Sequence, residues 1–200
     1  KALSVTDADL DGDRDREVLV GSADEHIYVL NGETGELIRE HHCDIPLRVG
    51  TSSVHQPQVG ALAVADINDD GALEIIAGLM NGNLMCYDLD FNTIWREDRI
   101  EHGPNEMVLR DLDDDGTLNV IVGNHYGRVE IFDENGKQLP SVYSELGDVQ
   151  MAIGDLNRDG TPEIANGSST GAFTMRTWRT RDGFSFPNYG FAFTQVLIGH

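Results

Sequence analysis

The acidic residues of this chain are grouped, and their spacing points to chemistry. Four nine-residue segments repeat one pattern: Asp9-Leu-Asp-Gly-Asp-Arg-Asp-Arg-Glu17, Asp66-Ile-Asn-Asp-Asp-Gly-Ala-Leu-Glu74, Asp111-Leu-Asp-Asp-Asp-Gly-Thr-Leu-Asn119 and Asp155-Leu-Asn-Arg-Asp-Gly-Thr-Pro-Glu163. Positions 1, 3 and 5 carry side-chain oxygens: Asp9, Asp11 and Asp13, then Asp66, Asn68 and Asp70, then Asp111, Asp113 and Asp115, then Asp155, Asn157 and Asp159. Position 9 adds Glu17, Glu74, Asn119 or Glu163, and position 7 (Asp15, Ala72, Thr117 or Thr161) would add a backbone carbonyl. Gly71, Gly116 and Gly160 at position 6 supply the positive φ of a tight turn. Hard oxygens alternating around such a turn form the donor set that Ca²⁺ takes, so up to four Ca²⁺ ions are expected.

An EF-hand shares the first half of this pattern but needs a Glu at position 12 and flanking helices. Position 12 here is Val20, Ala77, Val122 or Asn166, so the loops are not EF-hands. Asp, Asn and Gly also favour ordinary turns, and one such loop would prove little. Four in-phase copies concentrate carboxylates that repel one another unless cations lie between them. The first loop has two registers. Matching its exit strand makes Asp9, Asp11, Asp13 and Glu17 the ligands and puts Arg14 where glycine belongs; matching its entry strand makes Asp7 the first ligand and Gly12 the glycine.

These loops need strands on both sides. Apolar segments lead in (Leu62 to Val64, Met107 to Leu109, Met151 to Ile153), and others lead out (Val18 to Gly21, Ile75 to Gly78, Val120 to Gly123, Ile164 to Gly167). A third strand follows at His26 to Leu30, Asn83 to Tyr87 and Arg128 to Phe132; turns such as Asn31 to Gly35 and Asp133 to Gly136 lead to a fourth. Each repeat is thus an all-β, four-stranded antiparallel meander. Asp66 to Asp111 is 45 residues and Asp111 to Asp155 is 44, the period of a β-propeller blade. Stacked blades bury the sheet faces that a lone meander would expose. Repeats are placed near 1–58, 59–104, 105–148 and 149–194, with 195–200 starting another, because Val196 to Gly199 repeats the entry strand Met151 to Gly154. The chain is therefore expected to belong to a longer propeller whose further blades, or neighbouring chains, cover its open faces. The first interval, Asp9 to Asp66, is 57 residues, and its excess, His41 to Gln58, is expected to be an inserted inter-blade loop. Adjacent His41, His42 and Cys43 lack the separated pairs of a zinc site.

With 14 Lys and Arg against 35 Asp and Glu, the formal charge is −21, which disfavours nucleic acid and anionic lipid as partners. No apolar run is long enough for a membrane-spanning helix, so membrane insertion is not expected. Cys43 and Cys86 occupy unrelated places in their repeats and imply no disulfide framework; Cys86, in an alternating strand, reads as a buried thiol.

The four segments resemble FG-GAP/VCBS repeats, the calcium-loop blades of integrin α-subunit heads and of many secreted microbial proteins. The resemblance covers essentially the whole chain. The Phe-Gly and Gly-Ala-Pro signatures of integrin blades are missing, which favours the microbial type. It implies a propeller of about seven blades, acting extracellularly, secreted or at the cell surface, in adhesion, scaffolding or the binding of a protein or glycan ligand. Trp95, Tyr126, Trp178 and Tyr189 are candidate contact residues, with packing between blades as their other role. The alternative is a polysaccharide lyase, since some rhamnogalacturonan lyases are similar calcium-loop propellers. Of the histidines such chemistry could use, His26, His102 and His125 fall in turns or linkers, and no catalytic constellation is evident.

Overall fold

The computed structural model describes residues 1–45, 56–98, 100, 102–124, 126–143, 149–169, 173–179 and 183–186. Two compact units divide it, residues 1–104 and 105–200. No helix occurs among the described residues.

The first unit holds β1 (Ala2–Ala8), β2 (Glu17–Ser22), β3 (His26–Asn31) and β4 (Leu37–His42), followed by β5 (Val59–Ala65), β6 (Glu74–Leu79), β7 (Leu84–Tyr87) and β8 (Thr93–Glu97). Each set of four pairs in sequence order as an antiparallel meander. The second unit repeats the arrangement with β9 (Pro104–Arg110), β10 (Asn119–Asn124), β11 (Arg128–Phe132) and β12 (Gln138–Tyr143), then β13 (Val149–Gly154), β14 (Glu163–Ser168), β15 (Phe173–Thr177) and β16 (Gly183–Phe186). The four expected meanders are present.

Local chemistry explains the strands. Second strands such as Glu74-Ile-Ile-Ala-Gly-Leu79 and Asn119-Val-Ile-Val-Gly-Asn124 are β-branched runs, buried along their whole length. Outer strands β4 and β8 alternate with polar residues and leave Leu37, Ile38 and Ile94 exposed. The turns into the outer strands share one device. Oδ1 of Asn31 accepts from the amides of Glu33 and Thr34, that of Asp88 from Asp90 and Asn92, and that of Asp133 from Asn135 and Lys137. In the first unit both sheets contribute to one core, with Leu19, Ile27 and Val29 from one and Val59, Ile75, Leu79 and Met85 from the other. In the second unit Ile121, Val129 and Ile131 pack with Met151, Ile164 and Trp178.

The expected entry strand Leu62 to Val64 lies within β5, which begins earlier, at Val59, a register shift between Val59 and Ala61 letting Gly60 pass without ending the ladder. One expectation is corrected. The expected inserted loop does not start at His41. His41 and His42 are strand residues paired with Ile27 and His26, and the His41 ring stacks on Phe91 at 4.5 Å. Cys43 and Ile45 then enter the core. Cross-strand pairing and ring stacking hold a polar pair that composition alone assigns to a loop; residues 46–55 of that segment lie outside the described residues. So do His125, Tyr189 and the proposed further repeat at 195–200. Both cysteines are free thiols, buried as expected of Cys86, and burial pushes their pKa up, to about 11 for Cys43 and about 12 for Cys86.

Candidate functional site

Each Asp-rich segment connects the first strand of a sheet to the second, and the antiparallel ladder brings its ends together. Within the loops the same hydrogen bonds recur. The position-9 side chain accepts from the position-2 amide in all four: Glu17 Oε2 from Leu10 at 2.9 Å, Glu74 Oε2 from Ile67 at 3.0 Å, Asn119 Oδ1 from Leu112 at 2.9 Å and Glu163 Oε2 from Leu156 at 2.9 Å. These four side chains are buried, Glu74 at 3% exposure and Glu163 at 2%. The position-1 carboxylate accepts from the position-6 amide: Asp9 from Arg14, Asp66 from Gly71, Asp111 from Gly116, Asp155 from Gly160. The position-5 carboxylate accepts from the position-7 amide of Asp15, Ala72, Thr117 or Thr161. At position 3, Asp11, Asn68 and Asn157 accept from the position-5 amide.

The backbone makes the loops equivalent as well. Gly71, Gly116 and Gly160 have φ of 90°, 94° and 87°, the left-handed turn expected at position 6. Arg14 adopts the same conformation at φ 81°. Position 4 is also left-handed: Asp69, Asp114 and Arg158, and Gly12 in the first loop. The first loop therefore carries its glycine at position 4 and a strained arginine at position 6, and Asp9 is the structural counterpart of Asp66. Asp7 sits in β1 opposite Val18 and pairs with the Arg16 guanidinium.

Carboxylate oxygens converge in two loops. Those of Asp9, Asp11 and Glu17 lie within 4.8 Å of one another, as do those of Asp111, Asp113 and Asp115; either group could hold a metal ion. The second and fourth loops carry Asn68 and Asn157 at position 3 and bring fewer acids together. Two loop oxygens, Asp113 Oδ1 and Glu163 Oε1, are buried with no hydrogen-bond partner among the described residues. Burial raises the Glu74 pKa, opposed by the Ile67 amide and reinforced by Asp70 and Asp66. The Thr117 hydroxyl and amide lower that of Asp115, and the Thr161 amide with Asn157 lowers that of Asp159. An all-oxygen set with buried, unpaired lone pairs fits a hard divalent cation.

Sequence reasoning missed a cleft of about 300 Å³ beside the third loop, lined by Arg110, Asp113, Asp155, Pro162 and Arg179. Its arginines follow no repeat pattern. Of the aromatic candidates, Trp178 is buried at 5% exposure and packs in the core, Trp95 is half-buried in β8, and Tyr126 is 55% exposed. No helix among the described residues is long and apolar enough to cross a membrane.

The FG-GAP-like repeat model matches residues 111–165, from the first position of the third loop into the second strand of the fourth sheet. No curated protein matches the chain in sequence. Among solved structures, U3-55K is similar at a TM-score of 0.66 and 12% identity over 96% of this chain and 53% of its own. BBS1N, solved in complex with ARL6DN, is similar at 0.66 and 12% over 92% and 55%. The chain thus spans about half the length of these structures, and at such identity the likeness concerns the fold alone: antiparallel blades of the β-propeller type.

Proposed function

We propose, from the premise that the chain is an FG-GAP repeat protein, that it is an extracellular binding module whose blades are stiffened by structural calcium and whose exposed surface engages a protein or glycan partner. One observation carries the reading: four loops build the same scaffold around side-chain oxygens, and buried oxygens of Asp113 and Glu163 in those loops have no hydrogen-bond partner among the described residues. An unpaired buried carboxylate oxygen costs stability, and a cation is the natural partner for it. Positions 1, 3, 5 and 9 of each loop would hold the ion, with the position-7 carbonyl of Asp15, Ala72, Thr117 or Thr161 completing the set. Bound calcium would supply positive charge that relieves the repulsion among these acids. The loops' own residues orient the oxygens, through the position-9 brace and the left-handed turns.

An extracellular setting suits such repeated loops, since extracellular calcium modules work at dissociation constants of roughly 0.1 to 1 mM, well above resting cytosolic levels. At a dissociation constant of about 0.1 mM and about 1 mM calcium, each site contributes roughly 1.4 kcal/mol. For the partner, Tyr126 offers an exposed ring of the kind that stacks on sugars or anchors protein contacts. The test is a glycan array and a protein pull-down, each with calcium and again with chelator, alongside melting curves. Calcium-dependent capture together with a chelator-lowered melting temperature supports the reading. An unchanged melting curve with chelator removes calcium from it. Calcium-dependent release of unsaturated, ultraviolet-absorbing ends from pectic polysaccharide would replace it with the lyase alternative.

A further inference from the structure

In the second unit, the third cation loop is gripped by the following sheet. The indole Nε1–H of Trp178, just beyond β15, donates to the backbone carbonyl of Leu112 at 3.0 Å, a buried bond to loop position 2. The next residue, Arg179, lays its guanidinium on the Trp178 ring at 5.0 Å and places it 3.4 Å from Asp113 Oδ2, at loop position 3. The other oxygen of that carboxylate, Oδ1, is buried without a hydrogen-bond partner among the described residues. Thus one edge of Asp113 is held from outside the loop, while the oxygens of Asp111, Asp113 and Asp115 converge to within 4.8 Å. Leu112 is fixed on both sides, since its amide donates to Asn119 while its carbonyl accepts from Trp178.

The first unit supplies a contrast. Ile75 pairs with Tyr87 as Ile164 pairs with Arg176, so Leu89 and Asp90 correspond to Trp178 and Arg179. Leu89 and the loop residue Leu10 both pack on that unit's core, but the leucine side chain has no N–H to donate, and Asp90 faces Arg39 of β4 at 3.6 Å. Among the described residues, the first loop has no counterpart to the indole–guanidinium grip.

We infer that Trp178 and Arg179 are positioning residues for the cation site of the third loop, so that blade-to-blade docking and cation binding there reinforce each other. The inference rests on the calcium reading above. Partners that orient a metal ligand typically contribute about 10- to 100-fold in affinity, and coupling between docking and binding is reciprocal. The alternative role for Arg179 is bare charge, and it has the opposite sign: a nearby cation repels calcium, so removing it would tighten binding.

The experiment is calorimetric titration of the full chain with Ca²⁺, the third-loop event being the one lost in Asp115→Ala. Arg179→Gln should weaken that event about tenfold or more, with partial recovery in Arg179→Lys. Trp178→Phe, which keeps the ring but loses the N–H, should weaken it in the same direction; binding at the other loops should be unchanged. Because the Arg179 side chain is 58% exposed, Arg179→Gln keeps the fold. Unchanged or tighter third-loop binding in Arg179→Gln overturns the inference. Equal lowering of the melting temperature with and without calcium, at unaltered affinity, marks a merely structural contact and also overturns it. A parent chain with no Asp115-dependent event overturns the calcium reading itself, and the parent titration alone identifies that outcome.

Discussion

Position 6 of each loop turns through a left-handed conformation, and at Gly116 a Cβ would meet nothing within 4 Å. The penalty for a side chain there is backbone strain without a clash, so Gly116→Ala should cost about 1 to 2 kcal/mol, read from denaturant unfolding. The glycine rule was legible in three loops and misleading in the first. Positions 4 and 6 are both left-handed, so glycine can relieve either one; Gly12 takes the former and leaves Arg14 strained. The oxygen ladder at positions 1, 3, 5 and 9 could be read directly from spacing. The clamp on the third loop could not, because Trp178 and Arg179 lie 66 residues from Leu112 and Asp113 and have no equivalents in the other repeats' sequences. Glu106 was equally hidden. It accepts from the Met151 amide at 2.6 Å, and burial lifts its pKa from the usual 4.5 to about 7, against the pull of that amide. The folded chain therefore holds this proton more tightly than the unfolded chain. The resulting stability is fully present below about pH 4.5 and is lost as pH rises through about 7. Melting curves of the parent and Glu106→Gln should show the parent losing ground to the variant over that window; a constant difference from pH 4.5 to 8 would refute it.

Among the elements, the outer hairpins show how much a turn residue decides. Asn31, Asp88 and Asp133 each gather two amides of the following turn on one oxygen, and each of these hairpins carries a register shift further along its ladder. Asp133→Ala should cost about 1 kcal/mol and speed hydrogen exchange at the Lys137 amide, leaving amides of β10 protected. Turn chemistry made these hairpins readable from Asn31 to Gly35 and Asp133 to Gly136. The shifts were not readable, since they arise from twist and pairing that alternation does not encode. Nor was β4: its His41–His42 end has loop-like composition, yet β3 on one side and Phe91 on the other retain it in the sheet.

For the molecule as a whole, the dominant quantity is a formal charge of −21. Seventeen of the 35 acids lie in or just before the four loops, and four bound Ca²⁺ would bring the charge to −13. Self-repulsion should therefore be strongest without calcium. In chelator, raising sodium chloride from about 0.02 to 0.5 M should raise the melting temperature through screening, whereas in millimolar calcium the same change should have a smaller effect. Equal salt responses in the two conditions would contradict this. The all-β meander architecture was legible because its period and its loops recur in phase. What escaped was the way the sheets grip one another, which depends on single residues that do not recur. The brace from position 9 to position 2 has a consequence in time. Every loop has its position-9 side chain, Glu17, Glu74, Asn119 or Glu163, hydrogen-bonded to its position-2 amide, so the two ends of each loop are tied by the loop's own residues. A chain meeting calcium for the first time has little to rearrange, so loading should be fast and single-phase in stopped-flow mixing, and the module would be ready as soon as it reaches a calcium-rich medium.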